Sequence, residues 1–467
     1  MLQRWSQSNG YRQVLAIGLP LVVSMGSTTV IHFTDRIFLS NYAVDAIAAA
    51  LPAGLSSFLF LSFFMGVASY VNVFVAQYLG AAAPQRVGAA LWQGIYFSLF
   101  AYAALSLLYF LAPAYFAAGG HLPAIQRLEV TYFRILTLGS GLVVLSTTLS
   151  CFYSGRGLTR PVMLVNLAGA ALNVPLDYFL IYGVGFFPEL GIVGAGLATV
   201  ASQGLVALLL ALLIFTRENN QHFAVWRARA FNRELFRRLM RFGLPGGVQF
   251  FLDMFAYTFF VFMVGRLGRA ELAATNVVFA INTLSFLPMV GLSIAVSTMV
   301  GQAIGGGRPQ EAVEATTSAL HITLAYMGLV AACFVLFPQP LLELFRGDGA
   351  EPGEYARIMA LGVVLLRYVA VYTLFDAMAM IYFGALKGAG DIHFVMKTIF
   401  MLSLTVMILP LYLGIEHLGA GLHFSWVCIT LYAILLGLVF RWRYRRGQWQ
   451  SMRVIEQGAG AEAGGQA

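Results

Sequence analysis

Twelve stretches of this chain are long and apolar enough to cross a lipid bilayer, and that leaves few folds open to it. Hydrocarbon offers the backbone no water, so every buried N–H and C=O must bond within the protein. A helix meets that demand inside one segment and needs about 20 mostly apolar residues to cross. Such segments run over 14–40, 47–79, 88–111, 127–154, 162–183, 193–216, 236–266, 272–304, 313–337, 354–387, 394–414 and 420–441. Several exceed the minimum and can tilt or project beyond the bilayer. Charged residues make up only 10% of the chain and hydrophobic ones 60%, whereas soluble domains carry about 25% charged residues. The expectation is an all-α polytopic membrane protein, which excludes a soluble enzyme.

The basic residues set an orientation. Twelve spans place both ends of the chain on one side. With that side inside, 20 of the 28 basic residues fall in cytoplasmic segments, seven of them arginines between Arg217 and Arg241. The positive-inside rule then predicts N-in and C-in, in a bacterial inner membrane. The net charge of +8 follows from this bias, so no nucleic-acid partner is expected; basic clusters beside spans meet anionic lipid headgroups instead. Cys151, Cys333 and Cys428 lie within spans and suggest no disulfide framework. The first apolar segment is too long for a cleavable signal and is expected to act as its own insertion signal. A Gly/Ala-rich tail from Gly458 to Ala467 is expected to be disordered.

The chain also repeats itself. Leu19-Pro20 recurs as Leu244-Pro245, Ala48-Ala49 as Ala273-Ala274, and Gly66 as Gly291. Gln77-x-x-Gly80 with Pro84-Gln85 recurs as Gln302-x-x-Gly305 with Pro309-Gln310, and Gly194-Ala195-Gly196-Leu197 as Gly419-Ala420-Gly421-Leu422. Each pair is 225 residues apart. Two homologous six-helix lobes follow: an N-lobe over 1–216, a basic cytoplasmic linker over 217–235, a C-lobe over 236–441, and a tail over 442–467. An even number of spans per lobe makes them parallel repeats, with the substrate path expected between them.

Four aspartates interrupt the apolar stretches: Asp35, Asp177, Asp253 and Asp376. A carboxylate at the centre of a spanning helix costs ~2.5–3.5 kcal/mol on insertion scales, and such residues mark ion or substrate pathways. The repeat does not carry them over. Thr28 stands opposite Asp253, and Phe260 opposite Asp35. Each lobe therefore has acidic positions of its own on a shared scaffold. The histidines (His32, His121, His222, His321, His393, His417 and His423) are scattered and show no metal-enzyme spacing, and no phosphate-binding Gly-x-x-x-x-Gly-Lys segment appears.

At these residues the chain resembles the multidrug and toxic compound extrusion (MATE) family of the MOP superfamily, and within it the NorM-type branch. The residues that carry the resemblance are Thr34-Asp35-Arg36-Ile37, Gln77-Tyr78-Leu79-Gly80, Asn173-Val174-Pro175-Leu176-Asp177-Tyr178, Pro188-Glu189-Leu190-Gly191, and Gly243-Leu244-Pro245 ahead of Asp253. The tenth span adds Tyr372-Thr373-Leu374-Phe375-Asp376, similar to the family's Tyr-x-x-x-Asp cation motif, and then Gly384-Ala385-Leu386-Lys387-Gly388. The likeness extends over residues 14–441. Two features depart from the family pattern. The seventh-helix carboxylate is usually Glu and here is Asp253, and Arg36 directly follows Asp35, although sequence neighbours point about 100° apart on a helix.

The resemblance implies export of small cationic drugs in exchange for Na⁺ or H⁺, with no enzymatic step and no cofactor beyond the coupling ion, by a protein expected to act as a monomer. Tyr372 and Asp376 are four apart and share a helical face. With Asp253 from another helix they would form hard oxygen ligands for Na⁺, by the logic of other hard cations. Asn173 and Asp177 are likewise four apart, with Pro175 between them to loosen the backbone ladder. Asp35 and Thr199 would complete this second cluster, a candidate proton, cation or substrate site. Asn276 and Asn282 are candidate cavity-lining residues. Burial disfavours the charged form of a carboxylate while a bound cation favours it, so proton, Na⁺ and cationic drug can compete for these groups. The alternative is a lipid-linked oligosaccharide or lipid II flippase of the same superfamily. Such a cavity would need arginine for pyrophosphate, and Arg134 and Arg367 are the basic residues that could reach one.

Overall fold

A computed structural model describes residues 4–5, 7, 9–345 and 352–456; the expected disordered tail after 457 lies outside them. No strand occurs among the described residues, and twelve helices are long and apolar enough to span. The first half runs through α1 (Tyr11–Tyr42), α2 (Val44–Ala68), α3 (Val71–Gly80), α4 (Gln85–Ser106), α5 (Leu108–Ala117), α6 (Pro123–Ser154), α7 (Arg160–Tyr182), α8 (Ile192–Ile214) and the short α9 (Arg217–Phe223). The second runs through α10 (Arg233–Gly265), α11 (Arg269–Gly305), α12 (Pro309–Leu336), α13 (Pro338–Glu343), α14 (Pro352–Ala389), α15 (Ile392–Leu402), α16 (Leu409–Leu418) and α17 (Leu422–Arg445).

Local chemistry explains where these helices start, stop and deform. Proline opens α6, α12 and α13, where its missing N–H is one the first turn would leave unpaired anyway. Gly183 and Gly419 close α7 and α16 at φ 67° and 63°, a left-handed cap that a Cβ would oppose. The expected single span over 47–79 is interrupted at Ser69–Tyr70, and α3 beyond the break is buried from Val71 to Tyr78. In the eleventh span a π-helical stretch, Ser403–Ile408, joins α15 to α16. Pro410 lies two residues beyond it, and its missing N–H leaves the Val406 carbonyl without an α-helical donor. The last helix outruns its expected end at residue 441, reaching Arg445 before a 3₁₀ turn at Gln448–Ser451.

The chain divides into two compact units: Pro20–Phe251 with Gly305–Gly307 and Arg453–Ala467, and Met1–Leu19 with Leu252–Ile304 and Arg308–Met452. In the first, α6 is the central helix and packs on α2, α4 and α8. Its core gathers Leu39, Ala53, Phe116, Tyr132, Phe133 and Ile181. The start of α10, residues 233–251, lies in this unit. A Cβ on Gly66 would stand 2.6 Å from the Gly246 carbonyl oxygen, so α2 and α10 approach backbone to backbone, as small residues permit in membrane helices. The linker is held down on α4: Trp92 donates its indole N–H to the Val225 carbonyl at 2.6 Å, and the Tyr96 hydroxyl donates to that of Arg229.

The same unit receives the last described residues. Val454 and Ile455 are buried. The Val454 N–H donates to Gln77 Oε1 at 2.9 Å, Tyr78 donates to Glu456 Oε2 at 2.8 Å, and Arg86 pairs with Glu456 Oε1 at 3.1 Å. The Gln-x-x-Gly segment is thus a dock for residues 454–456.

In the second unit, α14 takes the central place, packed on α12 and α17. A Cβ on Gly384 or Gly388 would come within 2.4 Å of the Ser293 or Ser297 carbonyl oxygen, so this small-xxx-small pair lets α14 lie directly against α11. Phe260, Phe279, Leu365, Tyr372 and Trp426 build the surrounding core.

Candidate cation sites

In the first unit, three helices bring Asp35, Asp177, Asn173 and Thr199 together. Asp35 comes from α1, Asn173 and Asp177 from α7, and Thr199 from α8. Asn173 and Asp177 are fully buried and Asp35 is 5% exposed. Because Pro175 has no N–H, the Ala171 carbonyl one turn earlier lacks its helical donor, which adds a backbone acceptor to this stretch of α7. Asp35 approaches Asp177 side chain to side chain, with Thr199 beside it. Yet Asp35 Oδ1, both polar atoms of Asn173, both oxygens of Asp177 and the Thr199 hydroxyl complete no hydrogen bond of good geometry. Buried polar atoms are nearly always satisfied, so six unsatisfied ones in one place mark a site built to meet something polar or charged.

Two residues absent from the sequence expectation belong to this cluster. Tyr132 on α6, buried in the hydrophobic core, lies within electrostatic reach of both carboxylates. His32, exposed and one turn before Asp35, lies within electrostatic reach of it. Its i, i+3 spacing from Asp35 was visible in the sequence; nothing there pointed to Tyr132. Arg36 is exposed while Asp35 is buried, as the angular separation of neighbours requires.

The second unit holds a different arrangement. Tyr372 is 4% exposed and Asp376, one turn later on α14, is half-buried. Asp253 on α10 and Asp376 both act on Tyr432 of α17, and Tyr257 and Asp376 both act on Tyr372. Asn282 on α11 donates its amide N–H to the Tyr372 hydroxyl at 3.3 Å. The structure therefore gathers Asp253, Tyr372 and Asp376, and assigns Asn282 to their cluster. Asn276 is exposed on α11 and joins neither cluster. Tyr257 and Tyr432 were missed, although Tyr257 stands four residues after Asp253, on the same helical face. Next to these tyrosines lies an aromatic wall of Phe260, Phe279 and Trp426, with ring centroids 5.3–5.9 Å apart.

The donors are hard oxygens. Among the described residues no three His, Cys, Asp or Glu side chains gather as a transition-metal site would need. The second-unit set offers two carboxylates and neutral phenol and amide oxygens, which matches hard-cation chemistry. Of the two candidate basic residues, Arg134 donates its Nε–H to the Tyr109 carbonyl at 3.1 Å with its guanidinium 4.4 Å from the Tyr109 ring, and Arg367 is exposed on α14.

Comparison with known proteins agrees with this architecture. The family model MatE matches residues 20–179 and 245–413, one block in each half of the chain. A "Multidrug resistance protein NorM" of Aliivibrio fischeri is 26% identical over 95% of this chain and 97% of its own length. A "Probable multidrug resistance protein NorM" of Burkholderia pseudomallei is 27% identical over 97% and 94%, and that of Pseudomonas putida 29% over 93% and 95%. Among solved structures, an outward-facing multidrug resistance MATE family transporter of the MOP superfamily superposes with a TM-score of 0.85 at 20% identity, covering 97% of this chain and 99% of that one. A MOP superfamily transporter from Pyrococcus furiosus, described as having a binding pocket of reverse polarity that suggests a different function, gives the same score at 21% identity over 96% and 98%. At such identities the likeness establishes the fold.

Proposed function

The chain belongs to the MatE family, and on that premise we propose that it is a multidrug efflux transporter rather than an enzyme. In this reading it works as a monomer in the inner membrane, with both ends cytoplasmic, and exchanges cationic amphipathic drugs for Na⁺ or H⁺ by alternating access. The observation that carries the reading is the buried cluster of Asp35, Asn173, Asp177 and Thr199 with its six unsatisfied polar atoms. Facing carboxylates repel when both are charged, so a proton or cation between them lowers the energy of the pair. Asp253, Tyr372, Asp376 and Asn282 supply a second set of oxygens suited to Na⁺. Inorganic cation and drug then compete for negative groups, and the ion with higher affinity for the outward state drives release.

Tests follow from charge. Ethidium efflux from intact cells should respond to an imposed Na⁺ gradient or an imposed pH gradient. Response to neither would return attention to the flippase reading. That reading needs basic side chains facing a cavity for pyrophosphate, whereas the charges within the spans here are mostly aspartates.

A further inference from the structure

Two arginine-lined clefts, one in each unit, contain none of the residues of the acidic clusters, and neither has a part in the proposed exchange. The first has a volume of about 540 Å³ and is lined by Glu234, Arg237, Arg238, Met240, Arg241 and Leu244 at the start of α10. The second, about 350 Å³, is lined by Leu438, Arg441, Trp442, Arg445 and Arg446 at the end of α17. We propose that both clefts bind the phosphodiester headgroup of an anionic phospholipid, with its acyl chains along the apolar end of each stripe.

The spacing supports this. Arg237, Arg241 and Leu244 are all exposed, and at intervals of four and three residues they fall on one face of the helix. Leu438, Trp442 and Arg445 are exposed at the same intervals, in the opposite chain direction. α10 runs from its arginines into its apolar span, and α17 runs out of its span into its arginines. In both clefts, therefore, the charge sits at the polar end and the apolar side chain one to two turns deeper. At 1.5 Å per residue, Leu244 lies about 4.5 Å beyond Arg241, the offset between a phosphate and the first methylenes beneath it. A lipid fits this pairing better than a free anion, since inorganic phosphate has no use for the leucine or the tryptophan.

The charge is also available. Glu234 pairs with Arg238 at 3.3 Å, leaving Arg237 and Arg241 to give the first cleft a net positive face. In the second cleft no acidic residue lines the wall, and Arg446 stacks on Trp442 at 4.0 Å, which holds its guanidinium planar against the ring. Guanidinium groups bind phosphate oxygens bidentately, and basic residues beside a membrane are drawn to anionic headgroups.

The test uses the full chain in detergent. Phosphatidylglycerol should raise the melting temperature by roughly 2–4 °C, while phosphatidylcholine and inorganic phosphate leave it unchanged. The double variant R237Q/R241Q should lose about half of that shift, and adding R441Q/R445Q should remove the rest. Lysine at the same four positions should restore most of it. Mass spectrometry of the intact wild-type protein, carried from an equimolar mixture of the two lipids, should find phosphatidylglycerol enriched by at least about fivefold, or ~1 kcal/mol. An equal shift with phosphatidylcholine or phosphate, a full shift in the quadruple glutamine variant, or no enrichment on the wild type overturns the proposal.

Discussion

The two lobes share a scaffold but place their acids on different parts of it. In both, one helix is central: α6 in the first and α14 in the second, and the 225-residue offset maps one onto the other. The carboxylates break that symmetry. Asp35 on α1 has its counterpart at Phe260, which is fully buried in the aromatic core of the second unit. Asp376 on α14 corresponds to Cys151 on α6, whose thiol donates to the Thr147 carbonyl at 3.2 Å. Asp177 corresponds to Leu402, at the edge of the π-helical stretch. Duplication thus supplied the frame, and each copy acquired its own polar interior.

The character of the two interiors differs as well. The first-lobe cluster is buried, two carboxylates facing each other with Asn173 and Thr199 alongside. The second is half-buried and already partly bonded, with Asn282 donating to Tyr372. A proton shared between two buried, facing carboxylates relieves their repulsion. A ring of phenol, amide and carboxylate oxygens is better matched to a metal cation. If the lobes serve different cations, neutralising one cluster should spare the exchange that depends on the other.

Neutralising the acids probes that division most strongly. D376N should cut Na⁺-driven ethidium efflux at least tenfold, about 1.4 kcal/mol, and leave the melting temperature within a few degrees. D177N should do the same to efflux driven by a pH gradient. If each substitution abolished both modes equally, the lobes would not be separable in function. Next in size is a swap of scaffold chemistry. F260D places a carboxylate where the second lobe has only Phe279, Trp426 and other core side chains, and should destabilise the protein by about 3 kcal/mol, read as a lowered melting temperature. A variant as stable as wild type would mean that the second core can hydrate a charge at that position.

Smaller effects should come from the neutral oxygens. Y372F removes a single hydroxyl ligand and the acceptor for Asn282, and is expected to weaken apparent Na⁺ affinity about threefold to tenfold, ~0.7–1.4 kcal/mol, with little change in maximal rate. An unchanged Na⁺ dependence would make Tyr372 a packing residue of the core around Trp426.

Much of this molecule was legible in its residues. Each of the twelve spans appears within a few positions of its expectation, because hydrocarbon leaves a backbone no choice but internal hydrogen bonding. The aspartates stood out for the same reason, since a charge at such depth is costly. Asn173 with Asp177 and Tyr372 with Asp376 followed from helical spacing, which is a local property. Pattern alone did not reveal the break at Ser69–Tyr70 or the docking of Val454 and Glu456 on Gln77 and Tyr78.

What the chain determined unaided was therefore the number of crossings, the duplication, and which charged groups had to be sheltered from lipid. Only the tertiary structure decided which of them meet. Tyr132 joins Asp35 and Asp177 from α6, Tyr432 joins Asp253 and Asp376 from α17, and Asn282 reaches Tyr372 from α11 while Asn276 stays outside. The physical reason is that helical periodicity fixes the face a side chain occupies, whereas its partners depend on how separate helices rotate and pack, at Gly66 against Gly246 and at Gly384 against Ser293. Those approaches join residues far apart in the chain, and no local pattern encodes them.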